Sequence, residues 1–258
     1  MESKVEKTIL RVEGLTRDYV KTDGEKEGSP EVINVLKGLD FTVKQQEFVG
    51  IIGRSGCGKT TLLKVLGMID APTGGKVYFK DNDTQELWRD ELADIRRKDI
   101  GFVFQDFYLM DSLTIRENIM LPKILDKGEA KECMRMSKQY AARFGLEKLL
   151  NKKPYELSGG EKQRAAICRA LINDPELILA DEPTGNLDSK SGDIVVDTLR
   201  RINKQFGKTI IMVTHDPKVA SFCTRLILLK DGMIMEEMYR KEPPEKFYDQ
   251  ILVKIKEL

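Results

Sequence analysis

The sequence predicts an α/β protein with a mostly parallel sheet, and two groups of residues lead to this prediction. The apolar runs "ELILADE", "TIIMVTHD" and "RLILLKDG" are short and are separated by segments of helix length. Such alternation is typical of parallel strands that crossover helices connect. Upstream, the apolar run "EFVGII" is followed by a glycine-rich loop and then by "TLLKVLGM", which has the apolar spacing of a helix.

Two longer segments near the N-terminus have the pattern of strands. "ILRVEGLTRDYV" and "VLKGLDFTVKQQEFVGII" alternate apolar and polar residues. The segment "KTDGEKEGSPE" between them is rich in charges and turn formers, which predicts a surface loop. From about Phe107 to Leu171 the pattern changes to that of helices, as in "KGEAKECMRMSKQYAARFGLEKLL".

The composition excludes several classes of protein. The 43 Lys+Arg and 42 Asp+Glu residues leave a net charge of +1, so no basic field indicates nucleic acid as a partner. The apolar runs are far shorter than the roughly 20 residues of a membrane-spanning helix. The N-terminus "MESKVEKTIL" lacks the apolar stretch of a secretory signal, so we expect a cytoplasmic location. Four scattered cysteines predict buried, reduced thiols rather than a disulfide framework or a zinc site: Cys57, Cys133, Cys168 and Cys223.

The glycine-rich segment "GRSGCGKTT" predicts a site for phosphate groups. Its glycines can adopt backbone angles that other residues avoid, so successive N–H groups can point at one centre. Lys59 adds a positive charge at the start of a helix, and Thr60 offers a hydroxyl to a phosphate-bound Mg²⁺. The segment matches the phosphate loop G-x-x-x-x-G-K-S/T, and we expect its residues to bind nucleotide: Gly53, Arg54, Ser55, Gly56, Cys57, Gly58, Lys59, Thr60 and Thr61.

A phosphate loop by itself fits a GTPase, a kinase or an ATPase, and two later motifs narrow the choice. In "LILADE" an apolar strand ends in two carboxylates, of which Asp181 is expected to hold Mg²⁺ and Glu182 to polarise the attacking water. In "ELSGGEKQR", Ser158, Gly159 and Gly160 form a second anion-binding helix N-terminus. These three residues include no lysine, unlike the phosphate loop, which suggests that they serve a nucleotide held by another copy of the chain.

Together these motifs resemble the ATPase subunits of ABC transporters. "GRSGCGKT" is similar to the phosphate loop of that family, "LSGGE" to its signature, "LILADE" to its Mg²⁺ strand and "VTHD" to its switch histidine, in the same order. The resemblance implies that His215 contacts the γ-phosphate and that Gln105 in "FVFQD" senses the γ-phosphate and Mg²⁺. It also implies that Asp188 in "GNLDS" lies at the dimer interface and that Tyr19 stacks on adenine. The fifth signature residue is Glu161, where glutamine is commoner in the family.

The resemblance also implies a mechanism shared between two chains. A homodimer would close head to tail around two ATP molecules, each held by the phosphate loop of one chain and by Ser158 and Gly160 of the other. The implied catalytic residues are Glu182, His215, Lys59 and Gln105, and the implied Mg²⁺ ligands are Thr60, Gln105 and Asp181.

The fold implied by the resemblance is a P-loop NTPase core with an N-terminal antiparallel β subdomain and an inserted helical subdomain. We predict one ABC ATPase domain over residues 1–258, with the core and β subdomain at 1–105 and 172–240 and the helical subdomain at about 106–171. In a C-terminal helix at about 244–258, Phe247, Ile251, Ile255 and Leu258 would share one face. Packing against its own chain is the first interpretation of this face, and contact with a second subunit or a permease is the alternative.

The motion of such an ATPase needs a receiver, which we predict to be an integral membrane permease. We expect "QDFYLMDSLTIRENIMLP" to dock on it through Phe107, Tyr108 and Met110, with packing inside the helical subdomain as the alternative for these side chains. A soluble ABC ATPase is the rival class. Its members carry two ATPase units, zinc-binding cysteine pairs or a long coiled coil, and this sequence has the features of none of them.

Longer segments resemble one branch of the transporters. "ADEPTGNLDS", "GFVFQDF" and "LTIRENIMLP" are similar to ATPases whose permeases have large extracytoplasmic domains, among them macrolide exporters, lipoprotein-releasing complexes and a cell-division pair. "RRKDIGFVFQDFYLMDSLTIRENIMLP" and "MVTHDPKVASFCTRLILLKDG" most resemble the ATPases of bacitracin-type antimicrobial-peptide resistance transporters of Gram-positive bacteria. We therefore expect a peripheral homodimer at the cytoplasmic face of a bacterial cell membrane, on one large permease, with a sensor histidine kinase as a further partner.

Overall fold

A computed structural model describes residues 7–21 and 31–256. Most of the predicted surface loop, residues 22–30, and Leu258 of the predicted C-terminal helix lie outside the described residues. By their internal contacts the described residues divide into two units. The first unit comprises the described residues within Met1–Gln45, Val49–Trp88 and Val213–Leu258, and the second comprises Gln46–Phe48 and Arg89–Met212.

The first unit contains an antiparallel sheet near the N-terminus. Its strands are β1 (Thr8–Lys21), β2 (Glu31–Lys44), β4 (Gly74–Phe79) and β5 (Asn82–Asp83), in the order β2-β1-β4-β5. Val12 of β1 pairs with Phe41 of β2 on one side and with Val77 of β4 on the other. All three side chains are buried, because this face of the sheet packs on the core.

The first unit also holds the strand that leads into the phosphate loop. This strand, β3 (Phe48–Ile52), is buried throughout and runs parallel to β9 (Arg225–Lys230), which pairs in turn with the antiparallel strand β10 (Met233–Tyr239). The patterned segment that ends in "EFVGII" is therefore two strands. A turn at Gln45–Gln46, in which Gln46 has a φ of 66°, separates β2 from β3.

The described part of the first unit contains three helices: α1 (Lys59–Leu66), α7 (Pro217–Ala220) and α8 (Pro244–Ile255). The predicted helix-length connection before β9 thus contains only the four-residue α7. Helix α8 packs against α7 and buries Phe247 and Ile251, so the apolar face of the C-terminal helix packs on its own chain.

The second unit contains two further strands, the first four residues of a third, and most of the helices. Strand β6 (Ile100–Val103) runs parallel to β7 (Leu177–Asp181), and β8 (Thr209–Thr214) is the neighbour of β7 on the other side. The helices are α2 (Arg89–Lys98), α3 (Ile115–Leu125), α4 (Ala130–Arg143), α5 (Gly159–Leu171) and α6 (Ser189–Phe206), with 3-10 turns at Glu147–Leu149 and Pro154–Glu156.

Helices α3, α4 and α5 pack on one another in the stretch for which the sequence predicted helices. Helix α3 begins at a capping box, in which Thr114 Oγ1 accepts from the Glu117 amide and Glu117 Oε2 accepts from the Thr114 amide. The predicted α/β class, with an antiparallel N-terminal sheet and a mostly parallel second sheet, is confirmed. The division into core and helical subdomain stays a prediction. Across residues 7–21 and 31–256, the helices are too short or too polar to cross a membrane.

Candidate nucleotide-binding site

The phosphate loop joins β3 to α1 and has the curled backbone that its sequence predicts. Gly56 and Gly58 have φ angles of 82° and 103°, in the region that favours glycine. Gly53 is required for a different reason: a Cβ at this position would lie 2.2 Å from the carbonyl oxygen of Leu229 on β9. The loop can therefore keep its conformation only with these glycines.

Lys59 is buried at the start of α1, and its ammonium group points back into the loop. Nζ donates to the carbonyl oxygens of Gly53 at 2.9 Å and of Arg54 at 3.0 Å. These two carbonyl oxygens are neutral acceptors for the Lys59 ammonium group. Phosphate oxygens could replace them, because a hydrogen bond from an ammonium group to a charged phosphate is stronger than one to a carbonyl. Thr60 and Thr61 follow on the first turn of α1.

The phosphate loop borders a cavity of about 450 Å³. Three basic residues, Arg54, Lys230 and Lys256, contribute to its wall together with Asp231. Ser55 and Cys57 also face this space. Burial raises the pKa of the Cys57 thiol, with Lys59 acting in the opposite direction, so the thiol resists ionisation.

Tyr19 lies near the end of β1 and has a fixed orientation. Its hydroxyl donates to Asp70 Oδ2 at 2.8 Å, and the Arg17 guanidinium lies 4.5 Å from the centre of its ring. Arg17 covers one face of the ring, so an adenine would have to stack on the other face.

His215 follows β8 directly, and its side chain is exposed. Next to it, Asp216 accepts from the Lys218 amide at 2.8 Å and donates its own amide to Thr214 Oγ1 at 3.0 Å. These local bonds fix the backbone on which His215 is carried.

The two carboxylates of "LILADE" lie at the end of β7 in the second unit. Asp181 is the last residue of the strand, and Glu182 follows it with a φ of 45°, which is unusual for a residue with a side chain. Strained backbone of this kind is concentrated at functional sites, where the surrounding structure holds it in place.

Gln105 lies just after β6, where its side chain contacts the loop that follows Glu182. Its Nε2 donates to Asn186 Oδ1 at 3.1 Å. The fully buried Gln163 of α5 connects the same two loops, because its Nε2 donates to the carbonyl oxygens of Phe104 at 3.2 Å and of Pro183 at 2.8 Å. The loops that carry Gln105 and Glu182 are thus joined at two points.

The signature segment begins α5 with a capping box. Ser158 Oγ accepts from the Glu161 amide, and Glu161 Oε2 accepts from both the amide and the hydroxyl of Ser158 at 2.8 Å. The bond from the Ser158 amide, followed by the bond from its hydroxyl, lowers the pKa of the Glu161 carboxyl. Helix α5 therefore begins at this segment, and the N-terminus of a helix favours anions. Anion binding here stays a prediction.

Gly159 and Gly160 pack closely against the loop that contains Asp188. A Cβ at Gly159 would lie 3.0 Å from Leu187 Cδ2, and one at Gly160 would lie 2.9 Å from Ser191 Cβ. Asp188 caps α6 by accepting from the Ser191 amide at 3.0 Å, and its bonding to Ser191 lowers the pKa of its carboxyl. Asp188 thus has a structural role in addition to the one implied by the resemblance.

The expected docking segment begins at Gln105 and contains two residues of positive φ, Phe107 at 61° and Tyr108 at 45°. Arg169 of α5 donates to the carbonyl oxygens of both. Burial lowers the pKa of its guanidinium to about 10, which still leaves it charged at neutral pH. Tyr108 and Met110 are exposed, by 63% and 50%, whereas Phe107 is only half-exposed.

The expected Mg²⁺ ligands fit that ion by their chemistry. Thr60, Gln105 and Asp181 all offer oxygen atoms, which Mg²⁺ prefers, and it commonly keeps several waters in addition. Thr60 lies in the first unit, and Gln105 and Asp181 lie in the second. The described residues hold no cluster of three or more His, Cys, Asp or Glu side chains that could bind a metal ion.

The structure thus places the predicted residues in two groups, one in each unit. The first unit carries Tyr19, the phosphate loop and His215, and the second carries Gln105, Asp181, Glu182, the signature and Asp188. Sequence reasoning missed the residues that hold the second group in place, namely Asn186, Gln163 and Arg169. Asn186 lies in "GNLDS" and Gln163 in "EKQR", but their hydrogen-bond partners lie far away in the sequence.

Comparison with known proteins identifies close relatives. The profile of the ABC transporter family matches residues 36–185. The ABC transporter ATP-binding protein YxdL of Bacillus subtilis is 50% identical over 217 residues, covering 84% of each chain. The bacitracin export ATP-binding protein BceA of Halalkalibacterium halodurans is 44% identical over 84% of this chain and 87% of its own. The dimeric structure of MJ0796 bound to ADP and Pi has a TM-score of 0.81 at 42% identity, covering 91% of this chain and all of that chain.

Relatives from other transport systems are nearly as similar. The lipoprotein-releasing protein LolD 1 of Rhodopseudomonas palustris is 40% identical over 88% of this chain and 98% of its own. The macrolide export protein MacB of Campylobacter jejuni is 44% identical over 82% of this chain, which corresponds to 33% of MacB. Overall identity therefore does not separate these transport systems.

Proposed function

The chain belongs to the ABC transporter family, as an ATP-binding subunit, and on this premise we propose that it hydrolyses ATP as a homodimer to drive a membrane permease for bacitracin-like peptides. One observation supports the dimer: the phosphate loop holds the Lys59 ammonium group, whereas the helix N-terminus formed by Ser158, Gly159 and Gly160 has no lysine among these three residues. The dimeric state of MJ0796 with bound nucleotide supports the same arrangement.

Each chain would supply half of two shared sites. The phosphate loop and Lys59 of one copy hold the phosphates of ATP, and Tyr19 stacks on the adenine. Ser158 and Gly160 of the other copy present the N-terminus of α5 to the γ-phosphate, where the helix dipole favours negative charge. The Ser158 hydroxyl then exchanges Glu161 Oε2, its present acceptor, for a phosphate oxygen.

Hydrolysis requires a base for the attacking water, and Glu182 takes this role. Its position directly after β7 and its strained backbone support the assignment. His215 would hold the γ-phosphate, and Thr60, Gln105 and Asp181 would hold Mg²⁺. The ion would supply positive charge that stabilises the transferred phosphate.

The permease would bind at the docking segment, which runs from Gln105 to Pro122. Tyr108 and Met110 are exposed there, and an exposed aromatic and a methionine are typical of interface cores. Arg169 connects this segment to α5, the helix whose N-terminus faces the partner's ATP. Movement at the shared sites could thus reach the permease through one helix.

The identity of the transported substrate is the most specific part of the proposal. The relative BceA, named for bacitracin export, supports a role in antimicrobial-peptide resistance. The names of LolD and MacB support lipoprotein release or macrolide export as the second candidates. With the bacitracin-type permease we propose the remaining expected features: a large extracytoplasmic domain on the permease, a sensor histidine kinase as partner, and a peripheral location at the cytoplasmic face of the membrane.

Deletion of the gene tests the cargo. We expect the deletion strain to become sensitive to bacitracin and related peptides, and expression of the wild-type chain to restore resistance. The Glu182→Gln chain should fail to restore it, although it is made in equal amount. Unchanged peptide sensitivity, together with a defect in lipoprotein release or cell division, would assign the chain to another branch.

A further inference from the structure

Three polar side chains in the second unit form a chain of hydrogen bonds that ends at Gln105. Asn186 Nδ2 donates to Asp106 Oδ1 at 2.8 Å and to the carbonyl oxygen of Gln105 at 3.3 Å. Asn186 Oδ1 accepts from Gln105 Nε2 at 3.1 Å. The order of donors and acceptors in this chain determines the orientation of both amides.

The orientation follows from what each group can donate. A backbone carbonyl and an ionised carboxylate only accept, so the Asn186 amide must turn its nitrogen toward Asp106 and the Gln105 backbone. Its oxygen then faces the Gln105 side chain, which must present Nε2 as the donor. This leaves Gln105 Oε1 on the opposite side of the amide, and Oε1 is the only atom of that side chain able to bind a cation.

We propose that Asp106 and Asn186 are positioning residues that turn Gln105 Oε1 toward the cation bound with ATP. The proposal rests on the proposed function, in which Gln105 is a ligand of that cation. A glutamine amide can flip with little change in shape, and the wrong orientation would present N–H groups to a positive ion. Hydrogen-bonding partners outside the ligand shell commonly fix the orientation of metal ligands in this way.

The space for this arrangement depends on Gly185. A Cβ at that position would lie 2.8 Å from Gln105 Nε2 and 3.0 Å from Gln105 Cδ. A substitution by alanine would therefore push the flexible end of Gln105 away and leave Asp106 and Asn186 intact. The two loops should stay in place in such variants, because the buried Gln163 holds the carbonyl oxygens of Phe104 and Pro183 independently.

The test measures how much Mg²⁺ strengthens the binding of a fluorescent ATP analogue, by comparing dissociation constants in excess Mg²⁺ and in EDTA. We expect Asn186→Ala and Gly185→Ala to bind the analogue normally in EDTA. In both, the strengthening by Mg²⁺ should fall on the order of 10-fold, the usual cost of losing the partner of a metal ligand. Asn151→Ala, which removes another exposed asparagine of the second unit, should behave as wild type.

A charge-conserving exchange separates positioning from loss of structure. Asn186→Asp places a second carboxylate beside Asp106 and should lose the effect of Mg²⁺. When Asn186→Asp is combined with Asp106→Asn, the amide at position 106 can donate to the carboxylate at position 186. That carboxylate can still accept from Gln105 Nε2. In the double variant, Mg²⁺ should strengthen binding of the analogue more than in either single variant. If it does not, Asp106 and Asn186 are not positioning residues.

Gln105→Ala distinguishes this proposal from the function on which it rests. If Gln105→Ala loses the effect of Mg²⁺ while Asn186→Ala and Gly185→Ala keep it, the positioning role of Asp106 and Asn186 is wrong, and Gln105 remains a ligand of the cation. If Gln105→Ala itself keeps the full effect, Gln105 is not a ligand and both proposals fail.

Discussion

The side-chain nitrogen of Lys59 lies 2.9 Å from the carbonyl oxygen of Gly53, at the opposite end of the phosphate loop. The ammonium group thus closes the loop on itself and stands where phosphate oxygens would bind. Lys59→Ala should therefore weaken ATP binding roughly 10-fold or more, since hydrogen bonds to charged groups contribute about 1.5–3 kcal/mol. Titration with a fluorescent ATP analogue measures this, and Lys64→Ala, an exposed lysine of the same helix, is the control. Equal affinity of the Lys59 variant and wild type would exclude this role.

Tyr19 should contribute to nucleotide affinity through its ring rather than through its hydroxyl. Tyr19→Ala is expected to weaken ATP binding about 10-fold, because stacking of a base on an aromatic ring is worth about 1–3 kcal/mol. Tyr19→Phe keeps the ring and loses only the bond to Asp70, so its affinity should stay within a few-fold of wild type. If the two variants bind ATP equally well, the ring does not stack on the base.

Arg169 should hold the docking segment in its strained conformation. Removal of the guanidinium in Arg169→Ala leaves the carbonyl oxygens of Phe107 and Tyr108 without this donor. Amide hydrogen exchange at 107–110 should then become faster, with little change in the strands of the second unit. Arg135→Ala removes an exposed arginine that pairs with Glu132 on α4, and it should leave exchange in this segment unchanged. Unchanged exchange in the Arg169 variant would show that other contacts hold the loop.

Glu161 should make stability depend on pH at the start of α5. Bonding to Ser158 lowers the pKa of this carboxyl in the folded chain below its unfolded value. The stabilisation is therefore complete above the unfolded pKa and is lost as the pH falls through the folded pKa. Thermal unfolding of wild type and Glu161→Gln should differ at neutral pH and converge in acid. A difference that persists undiminished in acid would contradict the assignment to the ionised carboxylate.

The parts of this molecule that the sequence predicted are those with a local cause. The phosphate loop, the buried strand "FVGII" and the capped start of α5 each follow from residues within a few positions of one another. Hydrophobic alternation could not reveal the turn at Gln45–Gln46, because polar residues also occur at exposed strand positions. The length of the segment before β9 likewise did not reveal that α7 has only four residues.

The contacts that hold the candidate site together could not be predicted from sequence, since they join distant residues. Gln105 and Asn186 are 81 positions apart, and Arg169 and Phe107 are 62 apart. Each residue type is common on a protein surface, so only the folded backbone shows which of them meet. The resemblance to ABC ATPases gave the expected ligands but none of these supporting residues.

The central claim is that two copies of this chain close around ATP and that Glu182 is the base. Glu182→Gln keeps the shape of the side chain and removes its ability to accept a proton. With Mg²⁺ and ATP, size-exclusion chromatography with light scattering should show a dimer of this variant, and its hydrolysis rate should fall about 10²–10⁴-fold. A monomer that hydrolyses ATP at the wild-type rate would contradict both the shared site and the assigned base.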